Sequence, residues 1–122
     1  MKIDKTQLNI IKSYVSPPGL VVLVLQATCN LFGYEETWES AKRYLLGDLH
    51  FLEKLIEYDV KTAAESKFIR LRNIYISRPD FIKELVIKQS SAAASIYDWI
   101  MAINVYQKVI WLIYKDDSIK LI

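Results

Sequence analysis

The sequence contains little glycine, proline, cysteine or histidine. Three glycines and three prolines in 122 residues leave few tight turns. Because sheets of many short strands need such turns, their scarcity favours an all-α domain. The single cysteine, Cys29, excludes an internal disulfide framework. The single histidine, His50, excludes zinc sites that require a pair of histidines.

Signatures of catalysis and of membrane insertion are also missing. The three glycines (Gly19, Gly33 and Gly47) are too far apart for a nucleotide-binding loop, and there is no Gly-x-Ser-x-Gly motif. No apolar run reaches the length of about 18 residues that a membrane span needs. Asp4 and Gln7 interrupt any apolar stretch that would be typical of a signal peptide. We therefore expect an intracellular, non-enzymatic domain with no cofactor, metal or membrane contact.

Basic side chains are concentrated in one part of the chain. The net charge is only +2, but residues 61–88 contain seven basic and three acidic side chains. A basic surface between less basic flanks suits an acidic partner. A nucleic acid is disfavoured as that partner, because the whole chain is nearly neutral and this segment offers few aromatic side chains for stacking.

Proline and glycine divide the first part of the chain into three predicted helices. Apolar residues spaced three and four apart over residues 4–15 predict the first, which ends at the helix-breaking Pro17–Pro18 pair. The run from Gly19 to Gly33 is apolar all round and predicts a buried central helix, although its β-branched residues also suit a strand. Thr37 is expected to cap a third helix that ends at Gly47. The side chains predicted to face inward are Leu8, Ile11 and Val15 in the first helix, and Trp38, Ala41 and Leu45 in the third.

Three short helices are predicted next. Asp48 is expected to cap one, and Thr62-Ala63-Ala64-Glu65 matches the capping-box pattern at the start of another. The sequence SRPD at residues 77–80 ends that helix, and residues 81–88 form the third. The side chains predicted to face inward are Leu49, Leu52 and Ile56 in the first of these helices, and Ala64, Phe68, Leu71 and Tyr75 in the second.

A heptad pattern marks the C-terminal part of the chain. Its apolar positions alternate in steps of four and three along Ala92, Ile96, Trp99, Ile103, Tyr106, Ile110 and Ile113. If the first and last helices pair, they must be antiparallel. The chain is then an all-α, compact bundle of short helices on the distal end of an antiparallel two-helix coiled coil. The same spacing occurs in ordinary bundles, so a helical interaction module that docks a partner helix is the alternative.

Five segments of the sequence, taken in order, resemble one family. They are SPPGLVVLVLQATCNLFG (16–33), WESAK (38–42), HFLEKLIEYD (50–59), YISRPDF (75–81) and SSAAASIYDWIMAINVYQKV (90–109). Together they resemble the microtubule-binding domain at the stalk tip of dynein heavy chains, over nearly the whole chain. The YD ending of the third segment and the NVYQKV run look more axonemal than cytoplasmic.

The resemblance implies a function and a division of the chain. Residues 1–15 would end the first stalk helix, residues 16–100 would form the globular microtubule-binding domain, and residues 101–122 would begin the second stalk helix. The domain would bind the groove between α- and β-tubulin reversibly. Its affinity would follow the register of the coiled coil, which the ATPase ring elsewhere in the heavy chain controls. The implied location is the cytoplasm and cytoskeleton, in particular the axoneme of a cilium or flagellum.

The resemblance also implies microtubule-facing residues. Lys12 precedes the proline pair, and Lys54 lies in the family's tubulin-facing third helix. Lys88 matches a basic position, and Glu84 an acidic one at i, i+4 spacing, so a pair released on binding is a hypothesis. Lys67, Arg70 and Arg72 form the basic side of the fourth helix, near enough to steer the domain toward an acidic partner. The residues expected to bind the microtubule are Lys12, Lys54, Lys67, Arg70, Arg72, Glu84 and Lys88. Cytoplasmic members have a lysine near Val22, so its replacement here by valine predicts a weaker or differently tuned affinity.

Overall fold

The computed structural model describes the backbone of residues 5–115 and the side chains of residues 5–114. Within those residues there are seven α-helices, two of which continue as π-helical segments, and no strand. They are α1 (Lys5–Lys12), α2 (Gly19–Phe32), α3 (Trp38–Ser40, continuing as a π-helix over Ala41–Leu46), α4 (Phe51–Ile56), α5 (Glu65–Arg70, continuing as a π-helix over Leu71–Ile76), α6 (Lys83–Gln89) and α7 (Ser91–Lys115). The predicted all-α class is confirmed. None of the helices in this part of the chain is long and apolar enough to cross a membrane.

The central helix α2 forms where the sequence predicts it and lies in the core. Nine of its 14 residues are buried. Gly33 follows it with φ +79°, a left-handed conformation that glycine adopts without strain. The N–H groups of Gly33 and Tyr34 donate to the carbonyls of Asn30 and Cys29 and so satisfy the end of the helix. Burial of this apolar helix on most sides resolves the choice between helix and strand.

The helices on either side of α2 largely follow the prediction. Leu8 and Ile11 of α1 are buried, but Val15 is almost fully exposed. That expectation is wrong because α1 ends at Lys12, before the helical spacing reaches Val15. The Thr37 side chain accepts a hydrogen bond from the N–H of Ser40 and caps α3, as expected. Gly47 ends the following π-helical segment.

The inward face of α4 differs from the prediction. The expected side chains Leu49 and Ile56 are 80% and 74% exposed, whereas Phe51 and Leu55 are buried. The Asp48 carboxylate accepts a hydrogen bond from the N–H of His50 and forms a turn, so the helix begins only at Phe51. Both apolar stripes have helical spacing, and packing against the core selects the one that contains the larger phenylalanine.

The predicted capping box does not form before α5. The helix begins at Glu65, its N-cap residue is Ala64, and no side chain caps it. The Thr62 hydroxyl instead donates to the carbonyl of Asp59, 3.4 Å away. Phe68, Leu71 and Tyr75 are buried as expected, whereas Ala64, which precedes the helix, is exposed.

The first and last helices run antiparallel, as predicted. Tyr14, just after α1, lines a pocket with Ser90 and Ser91 at the start of α7. Gln7, near the beginning of α1, lines a pocket with Trp99 and Ala102, further along α7. The end of α1 therefore lies beside the start of α7, and the two chain directions are opposite. We call this junction of α1, α2, α6 and α7 the distal end.

The long helix α7 uses one face toward α1 and another toward the short helices. Ile96, Ile100 and Ile103 are buried, and so are the polar Asn104 and Gln107. Of the predicted heptad positions, Ala92, Ile96 and Ile103 are buried and Tyr106 and Ile113 are exposed within the described residues. The predicted seam is therefore buried mainly in its first half, and α7 residues that line a pocket with Gln7 of α1, such as Asp98 and Ala102, lie outside it.

Candidate functional site

A groove with basic side chains lies at the distal end. It is lined by Gly19, Leu20, Arg78, Asp80, Leu85, Lys88 and Gln89 and has a volume of about 480 Å³. The C-terminal end of α6 supplies Lys88 and Gln89, the first turn of α2 supplies Gly19 and Leu20, and the loop after α5 supplies Arg78. The N–H of Leu20 donates to Oε1 of Gln89 at 2.9 Å and joins α6 to α2. We call this the basic groove.

Arg78 is a residue of the groove that the sequence analysis missed. It lies in the loop that ends α5 and within the basic stretch 61–88, but no periodic pattern marks it. Its Nε and Nη2 donate to the two carboxylate oxygens of Asp80, each at 3.0 Å. This hydrogen bonding lowers the pKa of Asp80 and raises that of Arg78. Both side chains are exposed, so the pair is accessible to an approaching partner.

Lys12 lies shortly before the groove residue Gly19 in the sequence. It is exposed in the last turn of α1, two residues before Tyr14, which lies beside the start of α7. Lys12 and Lys88 therefore both belong to helices whose last residues lie at the distal end.

Val22 is half-buried in the first turns of α2, and its N–H donates to the carbonyl of Pro18.

Lys54 does not line the basic groove. It lies on α4, which borders α1 through a pocket shared by Leu8 and Leu52. Its Nζ forms an ion pair with Asp48, and this contact lowers the pKa of Asp48 and raises that of Lys54. Lys54 is exposed despite the pair, so it retains access to solvent.

Of the three basic residues of α5 and its π-helical extension, Arg70 and Arg72 have side-chain partners, whereas Lys67 is bonded through its backbone. The Lys67 carbonyl accepts from the Asn30 side chain at 2.9 Å, and Lys67 is half-buried. Arg70 Nε donates to both carboxylate oxygens of Glu36, at 3.0 and 2.8 Å. Arg72 donates to two side chains of α7. None of the three lines the basic groove.

The expected pair between Glu84 and Lys88 is not formed. No ion pair joins them among the residues that the structure describes, although their spacing along α6 would allow one. The ion pair that α6 makes is instead between Lys83 and Asp98 on α7, at 2.9 Å. A release of Lys88 from Glu84 therefore has no counterpart in this conformation.

Cys29 is a core residue. Its side chain is fully buried in α2, and burial raises the pKa of the thiol to about 11. The hydrogen bond with Ser40 lowers this pKa and the nearby Glu36 carboxylate raises it, and both effects are smaller than that of burial. Over the described residues, no cluster of three or more acidic, cysteine or histidine side chains could hold a metal ion.

Comparison with known proteins identifies the family. Residues 1–117 match the family model described as the microtubule-binding stalk of the dynein motor. The chain is 37% identical over 106 residues to dynein axonemal heavy chain 6 of Homo sapiens, which covers 87% of this chain. It is 36% identical over 107 residues to dynein axonemal heavy chain 2 of Homo sapiens, covering 88% of this chain.

A cytoplasmic relative matches as well. The cytoplasmic dynein heavy chain of Saccharomyces cerevisiae is 28% identical over 110 residues, again covering 88% of this chain. The chain spans 2% of the length of each of the two human relatives and 3% of the yeast one. The family match extends over almost every residue, from the first helix through the predicted coiled-coil seam. The chain belongs to the family of microtubule-binding stalk domains of dynein motors.

Proposed function

We propose that the chain binds microtubules with its distal end, through the basic groove and through Lys12 in the last turn of α1. The observation that carries this proposal is the meeting of Arg78 and Lys88 at the first turn of α2. Microtubules are acidic, and an exposed basic groove attracts an acidic surface and orients the approach.

Electrostatics divides five of the basic residues that were expected to bind the microtubule. Lys12 and Lys88 contribute as direct contacts at the distal end. Lys54, on α4, supplies a second positive position beside α1. The Arg70 side chain is already paired with Glu36 and adds long-range attraction rather than a contact. Lys67, which is half-buried and lies outside the basic groove, adds long-range attraction as well. Because exposed charges are screened by salt, binding weakens as ionic strength rises.

The geometry supports coupling between the stalk and the groove. Residues 13–18 connect α1 to α2, and Pro17 and Pro18 restrict the backbone of that connection. A shift of α1 along α7 is therefore transmitted to the first turn of α2, which lines the basic groove. We propose that microtubule affinity is set in this way by the coiled-coil register, and that an ATPase ring elsewhere in the heavy chain drives the shift.

The remaining expectations are proposals of the same kind. We propose the division at residues 15 and 100: residue 15 lies in the connection between α1 and α2, whereas residue 100 lies within α7, whose Asn104 and Gln107 still contact the π-helical extension of α5. We propose that the domain itself is non-catalytic, takes no cofactor, and binds neither nucleic acid nor membrane. An axonemal heavy chain in a cilium or flagellum is the proposed parent, joined to the domain through the stalk.

Co-sedimentation with microtubules tests the basic groove. Lys88→Ala and Arg78→Ala are each expected to weaken binding two- to fivefold, which is typical of one exposed charge pair of up to about 1 kcal/mol. Lys61→Ala is the matched control, because Lys61 is exposed and lies in the same basic stretch but outside the groove. An equal loss in the control and the groove variants would contradict this assignment.

The same experiment separates the other functions. If the domain does not pellet with microtubules but self-associates at high concentration, the result would support the alternative function, a module that docks a partner helix. Retention on duplex DNA would support a nucleic-acid domain. Pelleting with microtubules that weakens with added salt supports the proposed function.

A further inference from the structure

Two buried amide side chains on α7 share one arginine donor. Asn104 is 4% exposed and Gln107 is 7% exposed, and the two residues are adjacent along the helix at i, i+3 spacing. Arg72 Nη1 donates to Oδ1 of Asn104 and to Oε1 of Gln107, each at 3.0 Å. Arg72 lies in the π-helical extension of α5 and is half-buried. We call these three side chains the arginine clamp.

We propose that Arg72 is a positioning residue that fixes α7 to the short helices in one axial position, rather than a microtubule contact. The sequence predicted the second role, because Arg72 belongs to the basic side of its helix. The consequence for microtubule affinity rests on the proposed function, whereas the anchoring itself does not.

The chemistry of the clamp makes it selective for position. A guanidinium only donates hydrogen bonds, so both amide oxygens must turn toward it. Burying an amide group without a hydrogen-bond partner costs free energy, so losing this contact destabilises the folded domain. Moving α7 by one residue shifts it about 1.5 Å along its axis and turns it by about 100°, which withdraws both oxygens from Arg72. A polar residue buried in a helical seam sets register by this principle.

Further hydrogen bonds attach α7 to the preceding part of the domain. Trp99 Nε1 donates to the carbonyl of Leu55 at 2.8 Å, and the Tyr97 hydroxyl donates to the carbonyl of Phe81 at 3.3 Å. The buried side chains of α1 are the apolar Leu8 and Ile11. Apolar contacts are not directional, so neighbouring axial positions of α1 have similar energies. The hydrogen bonds of α7 are directional and favour one axial position. The arginine clamp therefore extends the attachment of α7 beyond Ile103, where the helix otherwise becomes exposed.

The π-helical segment helps to place Arg72. The N–H of Ser77 donates to the Arg72 carbonyl at 3.0 Å, an i to i+5 bond that widens the helix at this turn. The wider turn changes the direction of side chains relative to a regular α-helix. Phe68, Leu71 and Tyr75 face the core while Arg72 reaches α7 at the flank.

Hydrogen exchange of the isolated domain tests the anchoring without microtubules. In Arg72→Met, amides of residues 103–111 are expected to exchange about tenfold faster, the factor that corresponds to losing about 1.4 kcal/mol of local stability. Amides of residues 92–100 are expected to keep their protection. Arg43→Met is the matched control, since Arg43 is exposed and contacts the ring of Tyr44 rather than α7. Unchanged exchange, or a uniform increase over the whole chain, would overturn the proposal.

A triple variant covers the case in which Arg72→Met does not fold. Replacing all three members, as Arg72→Met, Asn104→Leu and Gln107→Leu, removes the donor and both buried acceptors together. The triple variant is expected to be more stable than the single variant, because no amide is left without a partner. Equal or lower stability of the triple variant would overturn the clamp.

Co-sedimentation distinguishes anchoring from contact. If Arg72 touches the microtubule, Arg72→Met reduces the salt dependence of binding and leaves the exchange of residues 103–111 unchanged, which overturns the proposal. If Arg72 positions α7, the salt dependence remains and the exchange increases. Failure of the wild-type domain to bind microtubules would contradict the proposed function, while the exchange result would still decide the anchoring.

Discussion

The backbone N–H of Leu20 donates a 2.9 Å hydrogen bond to the side-chain oxygen of Gln89. The two residues are 69 positions apart, at the start of α2 and the end of α6. The bond satisfies one of the free N–H groups of the first turn of α2 and holds one wall of the basic groove against the other. The binding surface therefore depends on a polar contact as well as on apolar packing.

Removing this bond is expected to loosen the groove. Gln89→Ala should lower the free energy of unfolding by about 0.5–1.5 kcal/mol, the range for one hydrogen bond, and weaken microtubule binding. Urea unfolding and co-sedimentation measure the two effects. Gln89→Glu keeps an acceptor for the Leu20 N–H and should retain more stability than Gln89→Ala. The reverse order would show that the bond does not contribute.

Freeing Arg78 is expected to strengthen binding. Asp80 offsets part of the Arg78 charge through two hydrogen bonds. Asp80→Asn keeps the size of the side chain but removes the negative charge, so microtubule affinity near pH 7 should rise about twofold. Asp59→Asn is the control, because Asp59 is exposed and does not line the basic groove. An unchanged affinity in Asp80→Asn would exclude Arg78 as a contact.

Two glycines are expected to respond differently to alanine. A Cβ atom on Gly47 would lie 2.7 Å from the carbonyl oxygen of Arg43, whereas one on Gly19 would meet nothing within 4 Å. Gly47→Ala should therefore cost about 1–3 kcal/mol of unfolding free energy, as overpacking does. Gly19→Ala should be neutral or slightly stabilising, because it restricts the unfolded chain. Thermal or urea unfolding of both variants measures this difference.

Stability is expected to decline at alkaline pH partly because of Cys29. Burial raises the pKa of this thiol from 9.0 to about 11. A group whose pKa is raised on folding contributes stability below its unfolded pKa and loses it as pH rises through the folded value. The contribution should therefore fall between about pH 9 and 11. In Cys29→Ala this component should be absent from the pH profile of urea unfolding; an identical slope in both proteins would refute it.

The valine at position 22 is expected to tune affinity. Val22 is half-buried in the first turns of α2, close in the chain to the basic groove. Val22→Lys adds a positive charge there and should increase microtubule binding at low salt more than at high salt. Co-sedimentation at two ionic strengths measures it. A variant that binds no better than the wild type would show that the position does not face the microtubule.

Strong local signals allowed much of the fold to be predicted. The proline pair and Gly33 bound a helix that is apolar all round, and α2 follows these limits. Thr37 caps α3 because its hydroxyl reaches an N–H three residues later, which needs no tertiary contact. The antiparallel pairing of α1 and α7 was also predictable, since both have apolar stripes and the chain must return between them.

Other predictions failed where two local solutions competed. Helix α4 has two apolar stripes, and periodicity alone could not show that Phe51 and Leu55, rather than Leu49 and Ile56, face the core. The Thr62 hydroxyl could cap a helix or bond to the Asp59 carbonyl, and the backbone turn favours the latter. These choices depend on which side chains are buried in the folded domain, and a sequence pattern of period 3.6 does not show this.

The sequence alone determined the helical class, the central apolar helix, the breaks at proline and glycine, and the family. The helical class, the central helix and the breaks depend on backbone geometry and on hydrophobic periodicity within each segment, so they do not require contacts between segments. The family was indicated by the resemblance of five segments. Only the tertiary structure decided the partners of the charged side chains. It brought Arg78 and Lys88 into one groove, paired Arg70 with Glu36, and directed Arg72 to two buried amides of α7. Hydrogen bonds and ion pairs join residues distant in sequence, and their energies depend on distances of a few ångströms that packing alone sets.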